Sequence, residues 1–169
     1  MAGRQEEQGE RAEPLLRVLR EVEDEIRGLY HEVAYIIDPN GNVTTQREGT
    51  HMSVDLPIEL MRGRIVTHNH PRGTSFSVED IQTLLGARAA EIRAVSVGYD
   101  YSMKLPPDTE WEDVELLVTD VCRLVFDDLA FETRMGRMSA EEFDRAYMHR
   151  VWTEIAEIRE WEYQRSERL

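Results

Sequence analysis

The pattern of apolar and polar positions predicts a chain that mixes helices and strands. A first helix begins at Pro14 and stops before Gly28, because its apolar residues recur at helical spacing. Those residues are Leu15, Leu16, Leu19, Val22 and Ile26. The segment HEVAYIID (31–38) then predicts a strand, and VTTQRE (43–48) returns antiparallel to it after an Asn-Gly turn.

The middle of the chain predicts shorter elements. We expect a weak strand over 50–56, a short helix or turn over 56–63, a strand over 64–68, a helix over 77–92 and a second hairpin over 93–105. The alternation of strands and helices in this part indicates a sheet with helices packed on it.

The C-terminal third predicts two helices. The first covers 109–134, and its apolar face consists of Val114, Leu117, Val121, Leu124 and Val125. MGRM interrupts it, and Ser139 with Glu142 makes a capping box for the last helix. We expect these helices to form an antiparallel hairpin that covers the core, with a homo-oligomeric contact as the alternative.

The order of elements predicts an α/β (α+β) fold with a central mixed sheet flanked by helices and a C-terminal helical hairpin. Residues 1–13 are expected to be a disordered tail. Residues 14–106 are expected to form the α/β domain with its leading helix, and residues 107–169 a helical extension.

Composition narrows the classes of partner. The chain has 169 residues, 41% of them hydrophobic, and no apolar run approaches the ~20 residues that span a bilayer. With 34 acidic and 20 basic residues, its formal charge of −14 opposes nucleic-acid binding and favours a protein, peptide or small-molecule partner. Cys122 is the only cysteine, so no internal disulfide can form, and we expect a reducing, cytoplasmic compartment.

The stretch IVTHNHPRGTSFSVED (65–80) concentrates the candidate chemistry. Alternation along a strand places His68 and His70 on the same face, so both imidazoles can bind one ion. Asp80 falls in the first turn of the next helix, from which its carboxylate can reach back to the end of the strand. Two histidines and one carboxylate leave the fourth position of a tetrahedral Zn²⁺ open for water, as in catalytic zinc sites.

Two further residues could complete a hydrolytic site. Glu32, on the first predicted strand, is a candidate base that accepts a proton from the activated water. The hydroxyl of Ser77 could donate a hydrogen bond to the oxyanion that develops on a scissile carbonyl. Each has a structural alternative: Ser77 and Asp80 also fit a capping box, and Glu32 also fits a solvent-facing position on an edge strand.

An upstream glutamate followed by His-x-His-Pro and Ser-x-x-Asp resembles the JAMM/MPN+ metalloproteases, also called the JAB domain, which include deubiquitinating isopeptidases. The string THNHPRG…SxxDI is closer to RadC-like bacterial members. The pattern EVAYIIDPNGNV…EGT…SV…IVTHNHPRGTSFSVEDI also resembles a segment of some phage head-morphogenesis proteins. The resemblance spans residues 30–105, roughly.

The resemblance implies a JAMM-like fold and hydrolysis of a peptide or isopeptide bond of a protein substrate, in the cytoplasm of a bacterial or phage-infected cell. The residues it assigns are His68, His70 and Asp80 as zinc ligands, Glu32 as general acid/base and Ser77 as oxyanion donor. The expectation of no membrane and no nucleic-acid partner comes from the composition and charge.

Three alternatives stay open. The turn after Pro71 is one residue shorter than in the family, so Ser75 is a second candidate for the role of Ser77, and Glu48 is a second candidate for the role of Glu32. A non-catalytic JAMM-like module of phage origin, used for binding or assembly, would keep the fold without a complete site. The contiguous string His-Asn-His differs from the dispersed motif of HNH nucleases, and the acidic charge opposes DNA binding.

Overall fold

The computed structural model describes residues 3–168, with side chains from Glu13 onward. The helices of this range are α1 (Gly3–Ile26), α2 (Val78–Ala87), α3 (Glu115–Arg134) and α4 (Ala140–Arg159), and two short 3-10 helices span Ile58–Leu60 and Trp111–Asp113. The strands are β1 (Val33–Ile37), β2 (Val43–Glu48), β3 (Ile65–Asn69), β4 (Glu91–Val95), β5 (Tyr99–Lys104) and β6 (Glu162–Glu167). The predicted α+β class, with a mixed sheet and C-terminal helices, is confirmed.

The six strands described between residues 3 and 168 form one sheet in the order β2-β1-β3-β4-β5-β6. β1 pairs antiparallel with both β2 and β3, and β5 pairs antiparallel with both β4 and β6. At the centre, β3 and β4 are parallel, so the chain must cross over between them, and α2 supplies this connection. The end of β3 therefore lies beside the start of α2.

Helices cover both faces of the sheet. On one face, Leu19, Val22 and Ile26 of α1 pack in one cluster with Tyr35 and Ile37 of β1. On the opposite face, α2, α3 and α4 build a larger core. Its buried helical residues include Ile81, Leu84, Val121, Val125, Trp152 and Ile155. The chain thus has three layers, with the sheet in the middle.

An ion pair anchors α1 to the sheet. The buried carboxylate of Glu23 accepts from Arg93 Nε at 2.5 Å and from Thr67 Oγ1 at 3.1 Å. α1 begins at Gly3 rather than at Pro14, because the segment before the proline is rich in Glu, Gln and Arg, which are strong helix formers. It therefore covers most of the predicted disordered tail, and residues 1 and 2 lie outside the described range.

Three elements differ from the predictions. Residues 50–56 form no strand and run as an irregular segment after β2. α2 ends at Ala87, where Arg88 adopts a left-handed conformation with φ 51°, and the chain then enters β4 instead of continuing as a helix. The sequence does not predict β6, because its polar stretch EYQRSE lacks the apolar alternation of a half-buried strand.

α3 and α4 form the predicted helical hairpin. Ser139 Oγ accepts from the amide of Glu142 at 3.2 Å, and Glu142 Oε2 accepts from the amide of Ser139 at 2.7 Å, so the predicted capping box is confirmed. Leu124, which the prediction places on the apolar face, is 58% exposed. The buried face of α3 is rotated away from it and includes Val118 and Leu129. The buried face of α3 joins the core on the α2 side, so the hairpin covers the sheet.

None of the helices described between residues 3 and 168 has both the length and the apolar character that crossing a bilayer requires.

Candidate metal centre

The two histidines meet at the end of β3. Side chains alternate along this strand, so His68 lies on the α2 side with Val66, while Thr67 lies on the α1 side. His70 follows the strand directly, and its Nε2 atom is 2.8 Å from Nε2 of His68. Both side chains are buried. The structure brings the imidazoles together as the alternation predicts.

Asp80 completes the cluster from the first turn of α2. Its Oδ1 atom is 3.6 Å from Nε2 of His68, and its Oδ2 atom is 3.6 Å from Nε2 of His70. The capping box fixes this position, because Asp80 Oδ2 accepts from the amide of Ser77 at 2.7 Å. The cap and the metal-binding geometry therefore use the same carboxylate, and the two interpretations of the Ser-x-x-Asp pattern are compatible.

The backbone fixes the tautomer of His70. Its Nδ1 atom is 2.8 Å from the carbonyl oxygen of Thr74, which can only accept, so Nδ1 carries the proton and Nε2 of the neutral ring presents a lone pair. Nδ1 of His68 is buried and has no partner with hydrogen-bond geometry within residues 3–168. Both rings can direct Nε2 toward a shared ion.

The site favours neutral imidazole and ionised carboxylate. Burial lowers the pKa of His68 to about 4, and Asp80 acts in the opposite direction. Burial alone would raise the pKa of Asp80, but the two imidazoles and the hydrogen bonds from Ser77 outweigh it, so the pKa of this carboxyl is lowered. These are the protonation states that a metal ion needs from its ligands.

The donor set fits a metal ion. His68, His70 and Asp80 each offer one ligand atom, and all three atoms lie within 4.8 Å of one another. In a tetrahedral zinc site with bonds of ~2.1 Å, neighbouring ligand atoms are roughly 3.4 Å apart. The two imidazole–carboxylate distances of 3.6 Å agree with this value. The imidazole pair at 2.8 Å would have to open by roughly 0.6 Å.

Glu32 lies in the same cleft as the cluster. Ala34 pairs with His68, so continuing this register sets Glu32 opposite His70 on the same face of the sheet. On the other face, Asn69 Oδ1 accepts from the amide of Val33 at 2.7 Å and holds the two strand ends together. Burial raises the pKa of the Glu32 carboxyl, the Coulombic effect of His70 lowers it, and that of Asp80 raises it.

The alternative glutamate, Glu48, is exposed and lies elsewhere. Its charge acts on Tyr35, whose side chain packs in the α1 cluster on the opposite face of the sheet. Among the two candidates for the base, the geometry therefore favours Glu32.

The two candidate serines have different surroundings. Ser77 Oγ accepts from the amide of Asp80 at 3.1 Å, so it caps α2. Its side chain also helps to lower the pKa of the Asp80 carboxyl. Ser75 is buried, and its hydroxyl is 2.8 Å from the phenol oxygen of Tyr163. Both residues line the cleft.

A cleft of about 610 Å³ opens over the cluster. One wall is the irregular segment 51–56, which the sequence assigned to a strand. This segment passes so close to Gly49 that a Cβ there would lie 2.0 Å from the carbonyl oxygen of Ser53, so the glycine is needed for the close approach. Apolar and acidic side chains, among them Val54, Asp55 and Leu56, line this wall.

The sequence does not predict that Tyr163 and His149 lie behind the cluster. The phenol oxygen of Tyr163, on β6, is 2.8 Å from Ser75 Oγ and 2.9 Å from Nδ1 of His149, on α4. Both residues are far from Ser75 in sequence. The alternation of Trp161 and Tyr163 was the one available sign of a strand there, and it spans too few residues to predict one.

In comparisons with known proteins, no family model, no curated protein and no solved structure matches this chain.

Proposed function

We propose that the protein is a zinc-dependent hydrolase of the JAMM type that cleaves a peptide or isopeptide bond. The observation that carries the proposal is the buried cluster of His68, His70 and Asp80 at the floor of an open cleft, with Glu32 beside it. Two nitrogens and one carboxylate oxygen form a ligand set typical of catalytic zinc, which keeps an open position. The sequence resemblance to the JAMM family supports the same choice of residues.

Each residue of the site would have a distinct role in the reaction. A zinc ion held by the cluster would supply a Lewis acid that activates water for attack on a carbonyl. Glu32 would accept the proton of the attacking water and deliver it to the leaving amine, and burial helps because it raises the pKa of this carboxyl. Ser77 would donate a hydrogen bond from its hydroxyl to the oxyanion.

The substrate class follows from the cleft. Its volume of about 610 Å³ and its open, partly apolar wall fit an extended peptide segment. Two acidic side chains, Asp55 and Glu79, line the cleft. Together with the net charge of −14, in which they are included, they favour a substrate that is neutral or basic near the scissile bond.

One observation favours a second candidate function, the non-catalytic binding or assembly module. His68 and His70 are at hydrogen-bond distance from each other, and Asp80 is held by the capping box, so the cluster has internal partners without an ion. In that case the cluster stabilises the turn after β3, and the cleft binds a partner without cleaving it.

Two measurements test the proposal. Elemental analysis of protein purified without chelators is expected to find about one zinc per chain, lost in His68→Ala and His70→Ala. Glu32→Gln should keep the zinc and lose ~10²–10⁴-fold in cleavage of a panel of ubiquitin-like conjugates and unfolded peptides. Glu48→Gln is the matched control and should keep both, because Glu48 lies outside the cleft.

The outcomes separate the candidates. A protein that holds no zinc after purification, and whose melting temperature does not rise with added zinc, contradicts the hydrolase. A protein that holds zinc but cleaves nothing in the panel favours the binding module. Equal cleavage by wild type and Glu32→Gln removes Glu32 from the mechanism.

A further inference from the structure

Four consecutive residues between the histidines and α2 are each held by a hydrogen bond to a side chain outside this group of four. Tyr101 OH donates to the carbonyl of Gly73 at 3.2 Å, and His70 Nδ1 donates to the carbonyl of Thr74 at 2.8 Å. Ser75 Oγ bonds Tyr163 OH at 2.8 Å, and Trp152 Nε1 donates to the carbonyl of Phe76 at 2.8 Å. We call residues 73–76 the support turn. Two of its contacts come from residues beyond the α/β domain that the sequence predicts.

Tyr163 is held in place from behind. His149 Nδ1 of α4 is 2.9 Å from Tyr163 OH, so the phenol oxygen lies between the imidazole and Ser75. Burial lowers the pKa of His149 to about 4, so the ring is neutral at ordinary pH and the contact is a neutral hydrogen bond. The ring of Tyr163 also packs edge-on against Phe76 at 6.3 Å between centroids. These contacts leave the tyrosine little freedom.

The contact at Ser75 controls the carbonyl that orients His70. The Thr74 carbonyl belongs to the planar peptide unit that joins Thr74 to Ser75. Because Gly73, Ser75 and Phe76 on either side are held by hydrogen bonds, the contact at Ser75 restricts how far that carbonyl can turn. The same carbonyl accepts from His70 Nδ1 and thereby leaves Nε2 unprotonated and aimed at the cluster. Partners of this kind, one step behind a ligand, set its tautomer and basicity.

We infer that Tyr163, supported by His149, is a positioning residue of the metal site and that strand β6 belongs to the site although it contributes no ligand. The inference rests on the proposed metal binding of His68, His70 and Asp80, but the geometry it concerns is that of the support turn itself. It assigns a role in the site to residues that lie outside the motif.

The test removes one oxygen atom. Tyr163→Phe keeps the ring and its packing on Phe76 but loses both hydrogen bonds of the phenol. We expect the affinity for Zn²⁺, measured by competition with a chromophoric chelator, to fall about tenfold, near the lower end of the effect of such partners. Ser75→Ala should have the same effect, and the double variant should be no weaker than either, because both remove one shared contact.

The matched control is Tyr147→Phe. Tyr147 is also half-buried, and its hydroxyl donates to the carbonyl of Cys122 at 3.2 Å, between α4 and α3 and away from the support turn. This variant should lose similar stability and keep the zinc affinity of the wild type. An equal loss of affinity in both variants would show that any weakening of the fold lowers zinc binding, and the inference would fail.

A second readout needs no metal. Nitrogen-15 NMR of His70 in zinc-free protein is expected to show a protonated Nδ1 and an unprotonated Nε2 in the wild type, and a mixture of tautomers in Tyr163→Phe. An unchanged tautomer together with unchanged affinity overturns the inference. If the wild type binds no zinc, the proposed function fails by itself, and the tautomer of His70 still decides whether Tyr163 positions it.

Discussion

Replacing Ser77 by alanine separates two roles that one hydroxyl plays in this structure. As a helix cap, Ser77 Oγ accepts from the amide of Asp80 at 3.1 Å. As the proposed oxyanion donor, the same hydroxyl would donate a hydrogen bond to the oxyanion in the cleft. The chain offers a matched control, since Ser139 caps α4 in the same way, accepting from the amide of Glu142 at 3.2 Å, and lies outside the cleft.

The two roles predict effects of different size. Losing a serine cap costs about 1 kcal/mol of stability. For a chain of this size, that corresponds to a fall of about 2–4 °C in melting temperature, and we expect it for both Ser77→Ala and Ser139→Ala. Zinc affinity should hold in Ser77→Ala, because the amide that orients Asp80 is part of the backbone. Cleavage should fall by ~10²–10³-fold in Ser77→Ala alone, as is typical when an oxyanion donor is removed.

Three measurements on the two variants separate the two roles of Ser77. They are thermal unfolding, a zinc competition titration and a cleavage assay. If Ser77→Ala cleaves as fast as Ser139→Ala, Ser77 is only a cap, and the donor must be sought elsewhere. A large loss of zinc in Ser77→Ala would show instead that the side-chain half of the capping box, and not the backbone amide, holds Asp80 in place.

Two further predictions concern the C-terminal hairpin. Deleting residues from Ser139 onward should expose Val121 and Val125 and remove Trp152 from the core, so the product should aggregate in size-exclusion chromatography; a folded, soluble monomer would contradict the shared core. The hydrogen bond from the amide of Ser139 lowers the pKa of the Glu142 carboxyl, so the stability from this cap is present above the ordinary glutamate pKa and is lost as the pH falls through the lower value of the folded protein. A carboxyl-carbon NMR titration of Glu142 should therefore have its midpoint below the ordinary glutamate pKa, and a midpoint at or above that ordinary value would refute the assignment.

The cluster of His68, His70 and Asp80 was predictable because it depends on short-range rules. Strand alternation determines that His68 and His70 share a face, and the three-residue spacing of a capping box determines that Asp80 turns back toward them. Both rules act within a segment of 13 residues, from His68 to Asp80. The capping box of Ser139 was predictable for the same reason.

The surroundings of the cluster depend on the tertiary fold and were harder to predict. The position of Glu32 follows from the pairing of β1 with β3, which the sequence suggests only through the order of the strands. Residues 50–56 alternate like a strand, but the close approach at Gly49 turns them away from the sheet to form the wall of the cleft. β6 was missed because an edge strand with polar residues on most positions has no hydrophobic signature.

The hydrogen bond between Ser75 and Tyr163 joins residues 88 positions apart, and this separation has a kinetic consequence. Closing a loop of that length costs about 4 kcal/mol of chain entropy in the simplest treatment, whereas the cap between Ser77 and Asp80 forms within one turn of helix. Contacts between distant residues tend to form late in folding. A refolding molecule should thus form strand β3, the cap of α2 and the cluster of His68, His70 and Asp80 first. The proposed zinc binding should become tight only in the slow phase in which β6 pairs with β5.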